Sequence, residues 1–128
     1  MKVYLAASYK RRDELRVYAK VLRSFGYSVT SRWLRELSPP KIELDDVSAK
    51  FLRQHAEQDI EDINEAEVFV LFTRDKKERG GMYVEMGYAL AKNKNVILVG
   101  PKRNIFHWLP EIQTFDTFEG FLGSVTNV

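Results

Sequence analysis

The sequence contains no cysteine. Disulfides, thiolate nucleophiles and thiolate zinc sites are therefore excluded, and with them the short secreted scaffold that depends on disulfide staples. The expected location is the cytoplasm. Long apolar runs are also missing: stretches such as Val68–Phe72 fall far below the roughly 20 residues of a membrane-spanning helix. The amino terminus enters a strand-like run rather than a signal sequence, so no membrane association is expected. Charge of one sign is not in excess, because 20 basic and 18 acidic residues leave a net charge of +2. That balance offers no concentrated basic face of the kind duplex nucleic acid requires, and no nucleic-acid partner is expected. The two histidines, His55 and His107, have no partner at ligand spacing, so no metal is expected. A G-x-G-x-x-G turn after the first strand, a P-loop, a G-x-S-x-G elbow and an H-E-x-x-H helix are all absent, which removes the dinucleotide, ATPase, hydrolase-elbow and zincin readings and leaves no expected cofactor.

What is present is an ordinary globular composition, 45% apolar and 30% charged over 128 residues, enough for one domain spanning 1–128. Val3–Ala7 reads as a strand with apolar character on both faces. Asp13–Phe25 then carries Leu15, Ala19, Leu22 and Phe25 at helical spacing, ended by Gly26. Tyr27–Thr30 is a second short strand. Arg32–Asp46, with Ser38-Pro39-Pro40, reads as a long loop and a candidate lid. Val47–Ala66 is helical, Glu67–Phe72 is a strand of the buried parallel type, and Gly80-Gly81 opens a helix that runs to Lys92. Asn95–Gly100 is a fourth strand, Thr114–Asp116 a fifth, and Glu119–Val125 a closing helix. Strands alternating with helices predict a flavodoxin-like, Rossmann-like α/β three-layer sandwich whose five-stranded parallel sheet has the order 2-1-3-4-5. Ligands of such sheets bind beyond the carboxyl ends of the strands, where the first and third strands diverge.

Two carboxylates stand in unexpected places. On the Val47–Ala66 helix, Leu52, Ala56, Ile63 and Ala66 form an apolar stripe, Glu57, Gln58, Glu61 and Glu65 lie on the other side, and Asp59 falls inside the stripe. A buried carboxylate must be paired or neutralised. Asp59 is therefore either a structural acid bonded to amides or an arginine, or an acid whose raised pKa suits proton donation. Glu85 is the single acid of the otherwise apolar run Met82–Ala91. Near the start of a helix and beside Gly80 and Gly81, where the backbone turns and a ligand approaches closely, it is expected to stay ionised and exposed, as a nucleophile, as a stabiliser of a cation, or as a plain helix-dipole acid. An acid and an ionised carboxylate together are the pair needed to cleave a glycosidic bond. Tyr4 is placed to orient Glu85, or to serve as a core tyrosine. Ser8-Tyr9-Lys10-Arg11-Arg12, entering the first helix, reads either as a holder of a phosphate or a sugar 5′ end, or as a solvated basic turn.

Val3-Tyr4-Leu5-Ala6-Ala7-Ser8, Glu57-Gln58-Asp59-Ile60 and Gly80-Gly81-Met82-Tyr83-Val84-Glu85-Met86-Gly87-Tyr88-Ala89-Leu90, in that order and spacing, resemble the nucleoside 2-deoxyribosyltransferase family and the related 2′-deoxynucleoside 5′-monophosphate N-hydrolases. The resemblance runs from Val3 to about Trp108. It implies an enzyme acting on a small nucleoside or nucleotide, with Glu85 as the nucleophile toward C1′, Asp59 assisting base departure or binding the sugar, and Tyr4 positioning Glu85. It also implies that Ala7, Ser8, Arg11, Arg12, Gly80, Gly81 and Asn104 bind substrate. Asn104–Trp108 resembles the loop that reaches a neighbour's site, which implies a homodimer or larger homo-oligomer with shared sites. The chain departs from the transferases at Arg79, where they carry an acid, and Ser8, Arg11 and Arg12 partly reproduce the turn of the hydrolases. A non-catalytic nucleotide-binding module is the remaining alternative.

Overall fold

The computed structural model describes residues 1–35 and 49–126. Strands β1 (Lys2–Ala6), β2 (Ser28–Val29), β3 (Val68–Phe72), β4 (Asn95–Val99) and β5 (Gln113–Phe115) form one sheet in the order β2-β1-β3-β4-β5. Every neighbouring pair is parallel, so the expected class and order are observed. Among the described residues four helices, α1 (Arg12–Ser24), α2 (Ala49–Glu65), α3 (Gly81–Ala91) and α4 (Phe118–Thr126), cover the two faces. The covering explains why β3 is apolar throughout and buried at every residue.

Tyr18 of α1 stacks on Phe118 of α4 with ring centroids 4.1 Å apart and on Phe72 of β3 at 5.3 Å, so α1 and α4 share a face. Helices α2 and α3 touch on the opposite face, where the Tyr88 hydroxyl donates to Asn64 Oδ1 at 2.8 Å. Alternation along a strand sends successive side chains to opposite faces. Tyr4 therefore shares a face with its register partner Phe69, and the two rings stack at 5.5 Å.

Helix α1 buries Leu15, Ala19 and Leu22 and places Asp13 and Glu14 in its first turn, where they complement the helix dipole. A 3-10 turn, Tyr9–Arg11, leads into it. At the end of β4, Gly100 has φ +121°, and a Cβ there would collide with the carbonyl of Thr73. The Thr73 hydroxyl donates to the Pro101 carbonyl at 2.7 Å, and the Gly100 N–H donates to the Phe115 carbonyl at 2.8 Å. The carboxyl ends of β3, β4 and β5 are thus drawn tightly together.

Two expectations are corrected. The start of the Arg32–Asp46 segment is not a loose lid: Arg32–Arg35 is a 3-10 turn with Trp33 and Leu34 in the core, because two large apolar side chains recover more by burial than a free loop would. Residues 36–46 of that expectation, and Val47–Ser48 of the expected helix, lie outside the described residues. The apolar stripe expected on α2 is buried at its carboxyl-terminal end, Ile63 and Ala66, whereas Ala56 is exposed and Leu52 only partly covered. Asp62, which the stripe did not include, is buried.

Strand β2 is two residues long, yet β1 continues beyond it. The Leu5 N–H and C=O that face the missing part of β2 are satisfied by side chains. Leu5 N–H donates to Ser31 Oγ at 2.7 Å, and Trp33 Nε1 donates to the Leu5 carbonyl at 2.9 Å.

Candidate active site

Tyr4, Asp59 and Glu85 come from β1, α2 and α3, and they meet on the face of the sheet that α2 and α3 cover. The Tyr4 side chain is fully buried, and its hydroxyl donates to Glu85 Oε2 at 2.5 Å. Burial, then the charges of Glu85 and Asp59, push the Tyr4 phenol well above its usual range. It therefore remains a donor across the physiological range. Asp59 Oδ1 is removed from solvent, and the charge of Asp59 is felt at the Tyr4 hydroxyl.

The expectation that Glu85 stays ionised and exposed is corrected. Burial pushes its carboxyl up to about 7, and the hydrogen bond from Tyr4 offsets part of that rise. Glu85 lies beyond the first turn of α3, which begins at Gly81, so the helix terminus acts on it only weakly. The residue is half-buried, with its carboxylate turned to the buried Tyr4 hydroxyl, and desolvation there disfavours charge.

Asp62 is a second buried acid of α2. Its Oδ2 accepts the Arg32 N–H at 2.9 Å, and its Oδ1 accepts Arg32 Nε at 2.7 Å. Sequence reasoning missed it, although its spacing from Asp59 at i+3 places both near one face of the helix.

The basic corner divides into two unlike arginines. Arg11 donates through Nε and NH2 to Glu14 at 3.0 and 2.8 Å, and through NH1 to the Thr73 carbonyl at 3.2 Å. It braces the ends of β1 and β3. Arg12 is buried over the Tyr9 ring at 5.1 Å, and its NH1 donates to the Tyr9 hydroxyl at 2.7 Å. Its Nε has no hydrogen bond, and no carboxylate of the described residues forms an ion pair with it. Ala7 and Ser8 lie half-buried just beyond β1, and the Ser8 hydroxyl caps nothing.

Gly80 and Gly81 open α3, with the Gly80 carbonyl accepting from Tyr83 and Val84 N–H at 3.0 and 3.2 Å. A Cβ on either would meet nothing within 4 Å. Asn104, beyond β4, caps the 3-10 turn Ile105–Trp108 by accepting the Phe106 N–H at 2.9 Å. His107 is buried there and accepts the Arg103 N–H on Nδ1 at 2.8 Å; burial lowers its pKa and keeps it neutral. Among the described residues no group of acids and histidines has the arrangement of a metal site, and no helix is long and apolar enough to cross a membrane. Glu78 was also missed by sequence reasoning. It lies in Arg74–Arg79, a charged loop by sequence, yet its side chain is only 1% exposed.

Two solved structures share this fold across the whole chain. A 2-deoxyribosyltransferase from Bacillus psychrosaccharolyticus superposes with a TM-score of 0.73 at 22% identity, covering 100% of this chain and 92% of that one. The CMP N-glycosidase BcmB of Clostridium botulinum superposes with a TM-score of 0.66 at 18% identity, covering 100% of both chains. No protein of curated function matches the sequence at a significant level. A sequence model described as nucleoside 2-deoxyribosyltransferase matches residues 3–117, which include Tyr4, Asp59 and Glu85, and the chain therefore belongs to the nucleoside 2-deoxyribosyltransferase family.

Proposed function

We propose that this protein cleaves or transfers the N-glycosidic bond of 2′-deoxynucleosides, with Glu85 as nucleophile, Asp59 as its companion acid and Tyr4 as the group that positions Glu85. The observation that carries this reading is the 2.5 Å hydrogen bond from the buried Tyr4 hydroxyl to Glu85 Oε2. It holds one carboxylate oxygen, fixes the side-chain rotamer and leaves the other oxygen for C1′.

In the first step the ionised Glu85 forms a bond to C1′ while the bond from C1′ to the base nitrogen breaks. The electron pair leaves with the base, which takes a proton from Asp59 in its acid form. In the second step water or another base attacks C1′ and gives its proton to the Asp59 carboxylate, while the bond from C1′ to Glu85 breaks and Glu85 departs as carboxylate, giving hydrolysis or transfer. Ala7, Ser8, Gly80 and Gly81 border the sugar at the strand ends, Arg12 holds its 5′ side, and Arg11 keeps the two strand ends in place. No metal or redox group enters these steps.

The apolar groove along α3, lined by Tyr83, Val84, Met86, Leu90, Asn104 and Phe106, receives a second copy of this chain. Val84, Ile105, Phe106 and Trp108 are 72%, 78%, 56% and 71% exposed beside it, an apolar display unusual for a monomer surface. The working form is a homo-oligomer in the cytoplasm.

A deoxynucleoside 5′-monophosphate is the second substrate reading, favoured by the buried Arg12 guanidinium that lacks a carboxylate partner among the described residues. The CMP glycosidase with the same fold is consistent with it. Mass spectrometry after exposure to a deoxynucleoside tests the main reading: one added deoxyribosyl group on Glu85 is expected. Turnover that persists in Glu85→Ala would overturn it. Base exchange indifferent to phosphate marks a transferase, and turnover confined to the monophosphate marks a hydrolase.

A further inference from the structure

Residues 74–80, which join β3 to α3, contain no apolar side chain. Hydrophobic burial therefore does not fasten this segment, and the ties that hold it are polar. Arg103 NH1 bonds to Asp75 Oδ1 at 2.8 Å across the strand ends, with the Asp75 side chain 91% exposed. The Lys76 N–H turns back to the Arg74 carbonyl at 2.8 Å. A solvent-exposed ion pair of this type contributes about 1 kcal/mol at most and weakens in salt.

Against these ties stands the burial of Glu78. Neither of its carboxylate oxygens has a hydrogen bond, and its ion-pair partner Arg74 Nε, a long 3.8 Å away and within the same segment, has none either. Its charge is felt at Arg11 beside β1 and at Tyr83 of α3, so it lies tucked between the strand end and the helix. A carboxylate out of water whose one ion pair is long and whose oxygens accept no hydrogen bond is incompletely compensated, and exposure would restore its hydration.

At the far end of the segment, Gly80 and Gly81 have no steric reason to be glycine here. Gly80 has helical backbone angles, φ −78° and ψ −10°, and neither residue meets a neighbour at its Cβ position. Gly26 and Gly100, by contrast, have φ +91° and +121°. Gly81, in the first turn, costs up to about 1 kcal/mol of backbone entropy relative to alanine, whereas Gly80 stands at the N-cap, where glycine is well accepted. Two adjacent glycines whose freedom is unused in this conformation leave the backbone free to pivot there, as well as open to a ligand.

We propose that residues 74–80 form a lid over the carboxyl ends of β1 and β3. Gly80-Gly81 is its hinge, the Asp75–Arg103 ion pair is its latch, and the buried Glu78 is the load that opens it. That the lid admits substrate to Glu85 rests on the function proposed above; the motion itself does not.

Because the chain has no cysteine, nitroxide labels on Lys10→Cys and Lys77→Cys report one distance from the lid to the sheet edge by pulsed electron resonance. Two distances are expected in the ligand-free protein, the longer gaining weight between 0.05 and 1 M NaCl, where the screening length falls from about 14 to 3 Å. Asp75→Asn should raise the longer population by about threefold, the effect of losing one exposed ion pair. Glu78→Leu should lower it, and a Gly80→Ala/Gly81→Ala variant should leave one narrow distance without loss of thermal stability. A single distance unmoved by salt, by Asp75→Asn and by Glu78→Leu would overturn the lid. If both populations are seen but deoxyadenosine leaves their ratio unchanged, the lid stands and the reading of the site falls.

Discussion

Asp62 holds Arg32 with both of its carboxylate oxygens, one on the backbone N–H at 2.9 Å and one on Nε at 2.7 Å. This clamp ties the carboxyl-terminal half of α2 to the turn that carries Trp33 into the core. Asp62→Ala leaves that backbone N–H without its acceptor and should cost about 2 kcal/mol of stability in urea unfolding. Asp59→Ala should change stability by less and lower turnover far more. Equal stability losses at the two positions would make Asp59 another structural acid.

Glu85, with its carboxyl pushed up to about 7 by burial, should give kcat/KM a basic preference. As a nucleophile it is active when ionised, so the rate should rise with pH through about 7, until the pH at which Asp59 loses the proton it donates. A falling limb through about 7 would assign it the role of a proton donor instead.

The same shift has a consequence for folding. The folded protein retains the Glu85 proton up to about pH 7, whereas the unfolded chain loses it near 4.5. Between these values the folded state binds more protons, so stability declines as pH rises and is flat above. Glu85→Gln should remove the decline and stabilise the protein at pH 8 by up to ~3 kcal/mol, with little gain at pH 4. Thermal melts of both proteins across that range check it.

Tyr4 lowers the Glu85 pKa through its hydrogen bond. In Tyr4→Phe the rising limb of the pH profile should move above pH 7, with about tenfold or greater loss of kcat/KM at neutral pH and partial recovery at pH 9. A limb that stays in place, with only a stability change, would make Tyr4 a core residue alone.

Gly100 should tolerate no side chain. Gly100→Ala drives a methyl group into the Thr73 carbonyl and strains a backbone at φ +121°. A loss of about 2 to 4 kcal/mol is expected, measured by chemical unfolding.

Much of this molecule was legible in the sequence because its signals are local. The continuous apolar run of β3 and the period of α1 identify their elements directly, and alternating strands and helices leave few topologies. The site was legible as residue types: a lone acid in an apolar helix and another within an apolar stripe. Their protonation was not. Whether Glu85 is charged depends on the Tyr4 hydroxyl, 81 positions away in sequence, and on neighbours that desolvate it. Arg11 and Arg12 are adjacent and chemically identical; one turns forward to Glu14 and across to Thr73 and the other back to Tyr9, a division set by which side of the turn faces the core. The burial of Glu78 within a charged run leaves no local trace at all.

The outer side of β1 also bears on self-association. Where β2 stops, the indole of Trp33 and the hydroxyl of Ser31 occupy the two main-chain groups of Leu5 that a stray strand would use. Side chains cannot be extended by a further rung, so the sheet presents no template for edge-to-edge aggregation there.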